Sequence, residues 1–198
     1  MQKELKFIYK YQKEAKILSR IGGLLGWDQL TYMPAQGIET RSEQVSYMST
    51  LLHEKSTSDE LWHTLKILQK STLSRKEKLM VRKLTKEIAK ARKLPQSFVL
   101  ELAKTTSLAY QAWDKARSVQ KFALFQPHLK KIVTLKKKEC TYIQEPGHPY
   151  NSLLDSFEEG MTVEKLKPIF AHLKKELIQL LSRIKESEVY RKQRKVLL

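Results

Sequence analysis

Apolar residues recur at helical spacing along most of this chain, and strand-type alternation is scarce. From Lys3 to Ile21 they fall at Leu5, Ile8, Tyr9, Ala15, Ile17, Leu18 and Ile21, one stripe of a helix. Gly22, Gly23 and Gly26 come next, and Pro34 biases Met33 toward an extended conformation. The chain is therefore expected to leave its first helix here and turn a sharp corner. Gly37 permits a turn, and a second helix over 38–54 carries Val45, Met48, Leu51 and Leu52 on its apolar side. Ser58-Asp59-Glu60 is a good start for a short helix bearing Leu61, Trp62, Leu65 and Leu68.

Ser74-Arg75-Lys76-Glu77 has the form of a capping box, with Ser as N-cap and Glu three residues on. It opens a helix through Leu79, Met80, Leu84, Ile88 and Ala91 that must stop at Leu94, before Pro95. Pro95 suits the first turn of the next helix, with Phe98, Leu102, Thr105, Ala109, Ala112, Trp113 and Ala116 inward. Pro127 starts another through Leu129, Ile132, Val133, Leu135 and Tyr142, and Pro146-Gly147-His148-Pro149 is a loop. Thr162 caps a last long helix whose Leu166, Ile169, Phe170, Leu173, Leu177, Leu180, Leu181 and Ile184 keep a period near 3.6. The reading is an all-α array of about seven helices, occupying 1–187, followed by a charged tail at 188–198. That tail turns apolar at Val196-Leu197-Leu198 and reads as cut rather than finished.

Bulk properties narrow the field. At 198 residues and 41% hydrophobic, the chain can bury a core of its own. The single Cys140 excludes an internal disulfide and a cysteine zinc site, and fits a cytoplasmic location. No N-terminal signal is visible, and no run approaches the roughly 18 apolar residues of a membrane span. Lys plus Arg total 38 against 21 Asp plus Glu, a net charge of +17. Such an excess calls for an anionic partner, or for a more acidic portion of the same machine. The densest spots, Lys130-Lys131, Lys136-Lys137-Lys138 and Arg191 to Lys195, lack aromatic interleaving or a nucleic-acid signature. A solvated lysine face is favoured over a nucleic-acid surface.

Candidate chemistry is sparse. Five histidines are present, and the only His-Glu pair is His53-Glu54. A helical zinc motif needs a second His four residues after the first, and that position is Thr57. His63 and His172 have no such partner, while His128 and His148 flank prolines as caps or surface groups. No phosphate-binding glycine loop and no nucleophile elbow occurs. Taken alone, these residues specify no reaction.

The stretch that stands out is Gly26-Trp27-Asp28-Gln29, with Thr31, Met33-Pro34, Gly37, Arg41 and Gln44 behind it. Two readings are open. In one, Trp27 packs the bend and Asp28 with Arg41 fixes its angle. In the other, Trp27, Asp28, Gln29, Thr31, Met33, Pro34, Arg41 and Gln44 line a ligand groove.

This string resembles the opening motif of the carboxypeptidase Taq family of thermostable zinc metallocarboxypeptidases. Later blocks resemble the family in the same order. These are Leu51-Leu52-His53-Glu54 with Thr57, then Pro95, Glu101, Ala103, Ser107, Ala109, Trp113 and Ala116-Arg117. Phe122, Phe125, Pro127 and Leu129 follow, then Tyr150, Leu153-Leu154-Asp155, Glu158 and Gly160-Met161-Thr162, with Glu159 where the family has Pro.

The resemblance spans roughly residues 5–185 and covers only the N-terminal portion of the family's catalytic domain. It implies part of a larger helical, zincin-like fold that trims peptides from their C-termini with a metal-activated water. The family's His-Glu-x-x-His and its downstream Glu have no counterpart here, so this chain by itself is expected to bind no cofactor and to be inactive. Zinc or cobalt belongs to the complete enzyme. The expected partner is a complementary C-terminal segment bearing the zinc motif, with peptide substrate in the assembly; a family-type homodimer is compatible. The alternative is a stand-alone basic helical module that binds nucleic acid or an acidic protein. A split-gene product, a truncated fragment and a decayed remnant all fit the sequence equally.

Overall fold

A computed structural model describes residues 1–193. The expected Arg194-Lys195 charge and apolar Val196-Leu197-Leu198 ending lie outside the described residues. Among the described residues every regular element is a helix and there is no strand. The α-helices are α1 (Gln2–Thr31), α2 (Ile38–Thr57), α3 (Asp59–Gln69), α4 (Arg75–Ala91), α5 (Gln96–Ser118), α6 (Gln126–Ile143), α7 (Asn151–Leu154), α8 (Val163–Glu186) and α9 (Glu188–Gln193). The seven long elements follow the expected array, and the four-residue α7 and six-residue α9 are additional. The chain forms two compact units, 1–143 and 144–198.

In the first unit, leucines at helical spacing meet as anticipated. Leu5 and Ile8 of α1, Leu61, Leu65 and Leu68 of α3, and Val81, Leu84 and Ile88 of α4 form one core, with Leu73 between α3 and α4. Phe7, Tyr11, Trp62 and Met80 pack against its edge. Sequence-local capping fixes where these helices begin. Ser58 Oγ accepts from the Leu61 amide at 3.4 Å. Ser74 and Glu77 close a reciprocal box, with the Ser74 amide donating to Glu77 Oε2 at 2.9 Å.

Three elements depart from expectation. First, the helical segment expected to end in glycine runs on through Gly22, Gly23 and Gly26 to Thr31, while the exit near Met33 that Pro34 imposes falls where expected. Each glycine weakens a helix by only about 1 kcal/mol relative to alanine, whereas a proline interrupts it, so the exit waits for Pro34. The corner is therefore Tyr32 to Gly37, just after the Trp27-Asp28-Gln29 string. Second, the innermost residues of α2 are Ser42 and Ser46 rather than Val45, Met48, Leu51 and Leu52, which are half-buried. Their hydroxyls donate to the Glu39 and Glu43 carbonyls at 2.7 and 2.9 Å, so burial leaves no unpaired group. These small side chains lie on the helix that packs most extensively against α5. Third, the apolar stripe of α8 is exposed, and no residue of that helix is buried.

The glycines carry a testable consequence. A Cβ at Gly22, Gly23 or Gly26 meets nothing within 4 Å. Gly23→Ala is expected to raise the unfolding free energy by about 0.5–1 kcal/mol, read as a higher urea midpoint with unchanged slope. A loss of stability would show that the helix needs glycine there.

The second unit is organised around Asn151. Its Oδ1 accepts from the Val163 amide at 2.8 Å, and its Nδ2 donates to the Pro146 carbonyl at 2.9 Å and to Glu164 Oε2 at 3.3 Å. Thr162 caps α8 as expected, accepting from the Lys165 amide at 3.3 Å. Backbone and side-chain hydrogen bonds, Asn151's among them, hold the Glu164 carboxyl below its usual pKa. Gly160 takes a φ of +76° before the cap, a conformation suited to glycine.

Candidate functional site

The corner between α1 and α2 gathers most of the residues that the sequence singled out. Asp28 sits one turn before the end of α1, and its carbonyl accepts from the Tyr32 and Met33 amides at 3.0 and 2.9 Å, closing the helix. Pro34 then takes extended geometry, φ −59° and ψ 147°, and Gly37 completes a short 3₁₀ turn by donating to the Pro34 carbonyl at 2.9 Å. Met33 folds back under this turn, with its Cγ 3.2 Å from where a Gly37 Cβ would stand. The corner is tight at that point.

Arg41, from the first turns of α2, reaches back across the corner. Its Nη2 donates to Asp28 Oδ2 at 2.6 Å and its Nη1 to the Leu25 carbonyl at 2.5 Å. Its Nε donates to Gln44 Oε1 at 3.0 Å. The Arg41 side chain is only 13% exposed and that of Asp28 is 36% exposed, so the pair is partly screened. Gln29 faces α5 instead. Its Nε2 donates to the Ser107 carbonyl at 3.1 Å, and Ser107 Oγ donates back to Gln29 Oε1 at 3.0 Å. Gln111 of α5 adds a bond to the Ala35 carbonyl at 2.7 Å. Three helices are thus locked together by polar side chains at one corner.

Trp27 is not part of that lock. The expectation that its indole packs the bend is corrected: it is 53% exposed and stacks edge-to-face on Tyr32 at 5.4 Å. The reason is geometric. Asp28 and Gln29 occupy the faces of α1 that meet α2 and α5, and Trp27, 100° back around the helix, points away from both. Thr31 is exposed, and its hydroxyl satisfies the Trp27 carbonyl at 2.8 Å. The structure therefore brings together Asp28, Gln29, Met33, Pro34, Arg41 and Gln44, and leaves Trp27 and Thr31 on the outside.

Sequence reasoning named Ser107 only through the family likeness and missed Gln111 and Asn151. The Gln29–Ser107 contact joins residues 78 apart, and no local spacing signals it. Asn151 did offer a clue, since a polar residue following Pro-Gly-His-Pro-Tyr is well suited to bond backbone groups of a turn.

Among the described residues, no group of three or more His, Cys, Asp or Glu could hold a metal ion. The residues present do not fit a zinc site. Thr57, where a second His would stand, bonds the His53 carbonyl at 2.8 Å, and Glu54 accepts from Gln96 at 2.6 Å. Burial pushes the His53 imidazole pKa down. The His53-Glu54 pair thus tethers the end of α2 to the start of α5. Among the described residues, no helix is long and apolar enough to cross a membrane.

Fold and corner together define an all-α array braced by a polar network, and comparison places that array in a family. The sequence model of the carboxypeptidase Taq (M32) metallopeptidase family matches residues 7–198. Thermostable carboxypeptidase 1 of Pyrococcus furiosus is 37% identical over 164 residues, covering 82% of this chain and 33% of the relative. Carboxypeptidase 1 of Bacillus subtilis is 33% identical over 189 residues, covering 91% of this chain and 38% of the relative. Among solved structures, the BsuCP crystal structure superposes with a TM-score of 0.90 at 32% identity, over 95% of this chain and 38% of that one. Metallocarboxypeptidase 1 of Trypanosoma cruzi gives 0.77 at 25% identity, over 100% of this chain and 39% of that one. The chain belongs to the carboxypeptidase Taq (M32) metallopeptidase family. It spans little more than a third of the length of the relatives it matches, and the match is to their N-terminal part.

Proposed function

We propose that this chain supplies the N-terminal helical scaffold of a metallocarboxypeptidase and acts together with a C-terminal portion that carries the zinc site. One observation carries the reading: the fold follows a family structure over 95% of this chain while spanning only 38% of that one. The donor chemistry points the same way, since Thr57 stands where a helical zinc motif opened by His53-Glu54 would need its second His. By itself the chain is inactive. Metal and peptide substrate belong to the assembled enzyme, and its one cysteine, Cys140, is a free thiol suited to the cytoplasm.

Within the assembly the corner acts as a rigid brace. Arg41 ties α2 to two points on the last turns of α1, and Gln29 ties α1 to α5, so the three helices hold one angle. Trp27 and Tyr32 stand on the open side of that brace, where they can line the groove or meet the second portion. The test is complementation. The part of Bacillus subtilis carboxypeptidase 1 beyond its match is produced separately and mixed with this chain and Zn²⁺. The expected result is release of C-terminal amino acids by the mixture and by neither part alone. Hydrolysis by this chain alone, or failure of the parts to associate, would overturn the proposal.

A further inference from the structure

The apolar stripe of α8 has a more specific pattern than general amphipathicity. Leu166, Phe170, Leu173, Leu177, Leu180 and Ile184 are separated alternately by four and three residues, a heptad spacing over the whole helix. Five of the six are between 42% and 58% exposed. A stripe of that spacing matches another helix lying nearly along it, crossing at about 20°, because only then do its side chains meet the partner's holes in register. At its N-terminal end Tyr150, Leu154, Leu166 and Phe170 border an open apolar hollow of about 460 Å³, with Lys167 and Lys174 at the rim. That hollow is large enough for an aromatic side chain.

The flanks say which helix. Beside the stripe stand Lys167, Lys174 and Arg183 against the single acidic residue Glu176, with Ile169 and Leu181 widening the apolar face. A second copy of α8 brings no acidic residue opposite Lys167 or Lys174, so self-pairing leaves these cations without a complement. A helix with apolar a and d positions and acidic flanks satisfies both features. The larger share of each relative's chain lies outside the matched 33–38%, so the family enzymes have chain available to provide it.

We infer that the α8 seam is the docking face for an acidic-flanked amphipathic helix of the complementary carboxypeptidase portion. This rests on the function proposed above and adds where the two parts meet and what chemistry joins them. The apolar seam supplies affinity, while the lysines select the partner and set its register.

The experiment uses the full chain and the same Bacillus subtilis C-terminal part, with binding followed by calorimetry. Leu173→Lys/Leu177→Lys is expected to weaken binding by about 100-fold or more, because two seam contacts become buried charges. Lys174→Glu is expected to weaken it about tenfold at low salt, with the difference shrinking as salt rises. None of these residues is buried, so circular dichroism and urea unfolding of the variants should match the parent chain. If the parent chain binds and the double variant binds equally well, the seam assignment falls while the proposed function stands. If the parent chain does not bind, the proposed function falls and the seam with it. If sedimentation shows a dimer of the parent chain alone that the double variant loses, the occupant is a second copy and the inference is overturned.

Discussion

Phe98→Ala is expected to lower the unfolding free energy of the 1–143 unit by about 3–5 kcal/mol, the largest single-residue loss anticipated here. Phe98 lies in the first turn of α5 and is 2% exposed. Pro95 sets the start of that helix, and its carbonyl accepts from the Phe98 amide at 3.0 Å. The ring therefore enters the interior at a fixed angle. It meets Tyr142 near the end of α6 edge-to-face, with centroids 5.3 Å apart. Truncation removes the ring's own burial, the aromatic pair and the packing of α6 on α5, and leaves a cavity that rigid neighbours cannot fill. Leu79→Ala is the control, since Leu79 is 46% exposed and should lose under about 1 kcal/mol. If Phe98→Ala fails to fold, Phe98→Leu retains bulk and should give a measurable loss of about 1–2 kcal/mol. A shift of less than about 1 kcal/mol for Phe98→Ala would show that α5 and α6 are not held through this ring.

What the sequence made legible follows how far each signal reaches along the chain. Ser58, Ser74 and Thr162 were readable as caps because each cap hydroxyl and the backbone amide that donates to it lie three residues apart. The core leucines of α3 were readable because one face at period 3.6 has to be buried somewhere. The glycine run misled because local propensity shows a weakening of the helix, while only tertiary context decides whether the helix survives it. For α8 the period was right and the outcome was exposure. Periodicity states that a face seeks a partner and is silent on whether this chain provides one. The corner divides in the same way. Asp28 with Arg41 was legible because opposite charges 13 residues apart flank one turn, whereas Gln29 with Ser107 needed the fold. Trp27 failed for a third reason: size and apolarity argue for burial on average, and a residue on the unpartnered side of its helix escapes the average.

Arg41→Met is the second large expected effect, a loss of about 2–3 kcal/mol. The methionine keeps the apolar stem of arginine, so the change isolates the guanidinium. That group holds the Leu25 carbonyl, the Asp28 carboxylate and the Gln44 amide oxygen at once, at 2.5, 2.6 and 3.0 Å. A bond to a charged group is worth roughly 1.5–3 kcal/mol when buried, and Asp28's partial exposure places this one toward the lower end. Arg41→Lys should recover less than half of the loss, because an ammonium on a flexible stem cannot present a planar fork to three acceptors. Asp28→Ala should lose about 1 kcal/mol, and the double variant should lose less than the sum of the two, with a coupling of about 1 kcal/mol. Urea unfolding of the four proteins measures all of this. If the Arg41 and Asp28 losses simply add, the two side chains act independently, and the angle between α1 and α2 rests on helix packing alone. If they couple as expected, the ion pair is part of what fixes that angle, and the brace beneath the open Trp27 face is the polar network itself.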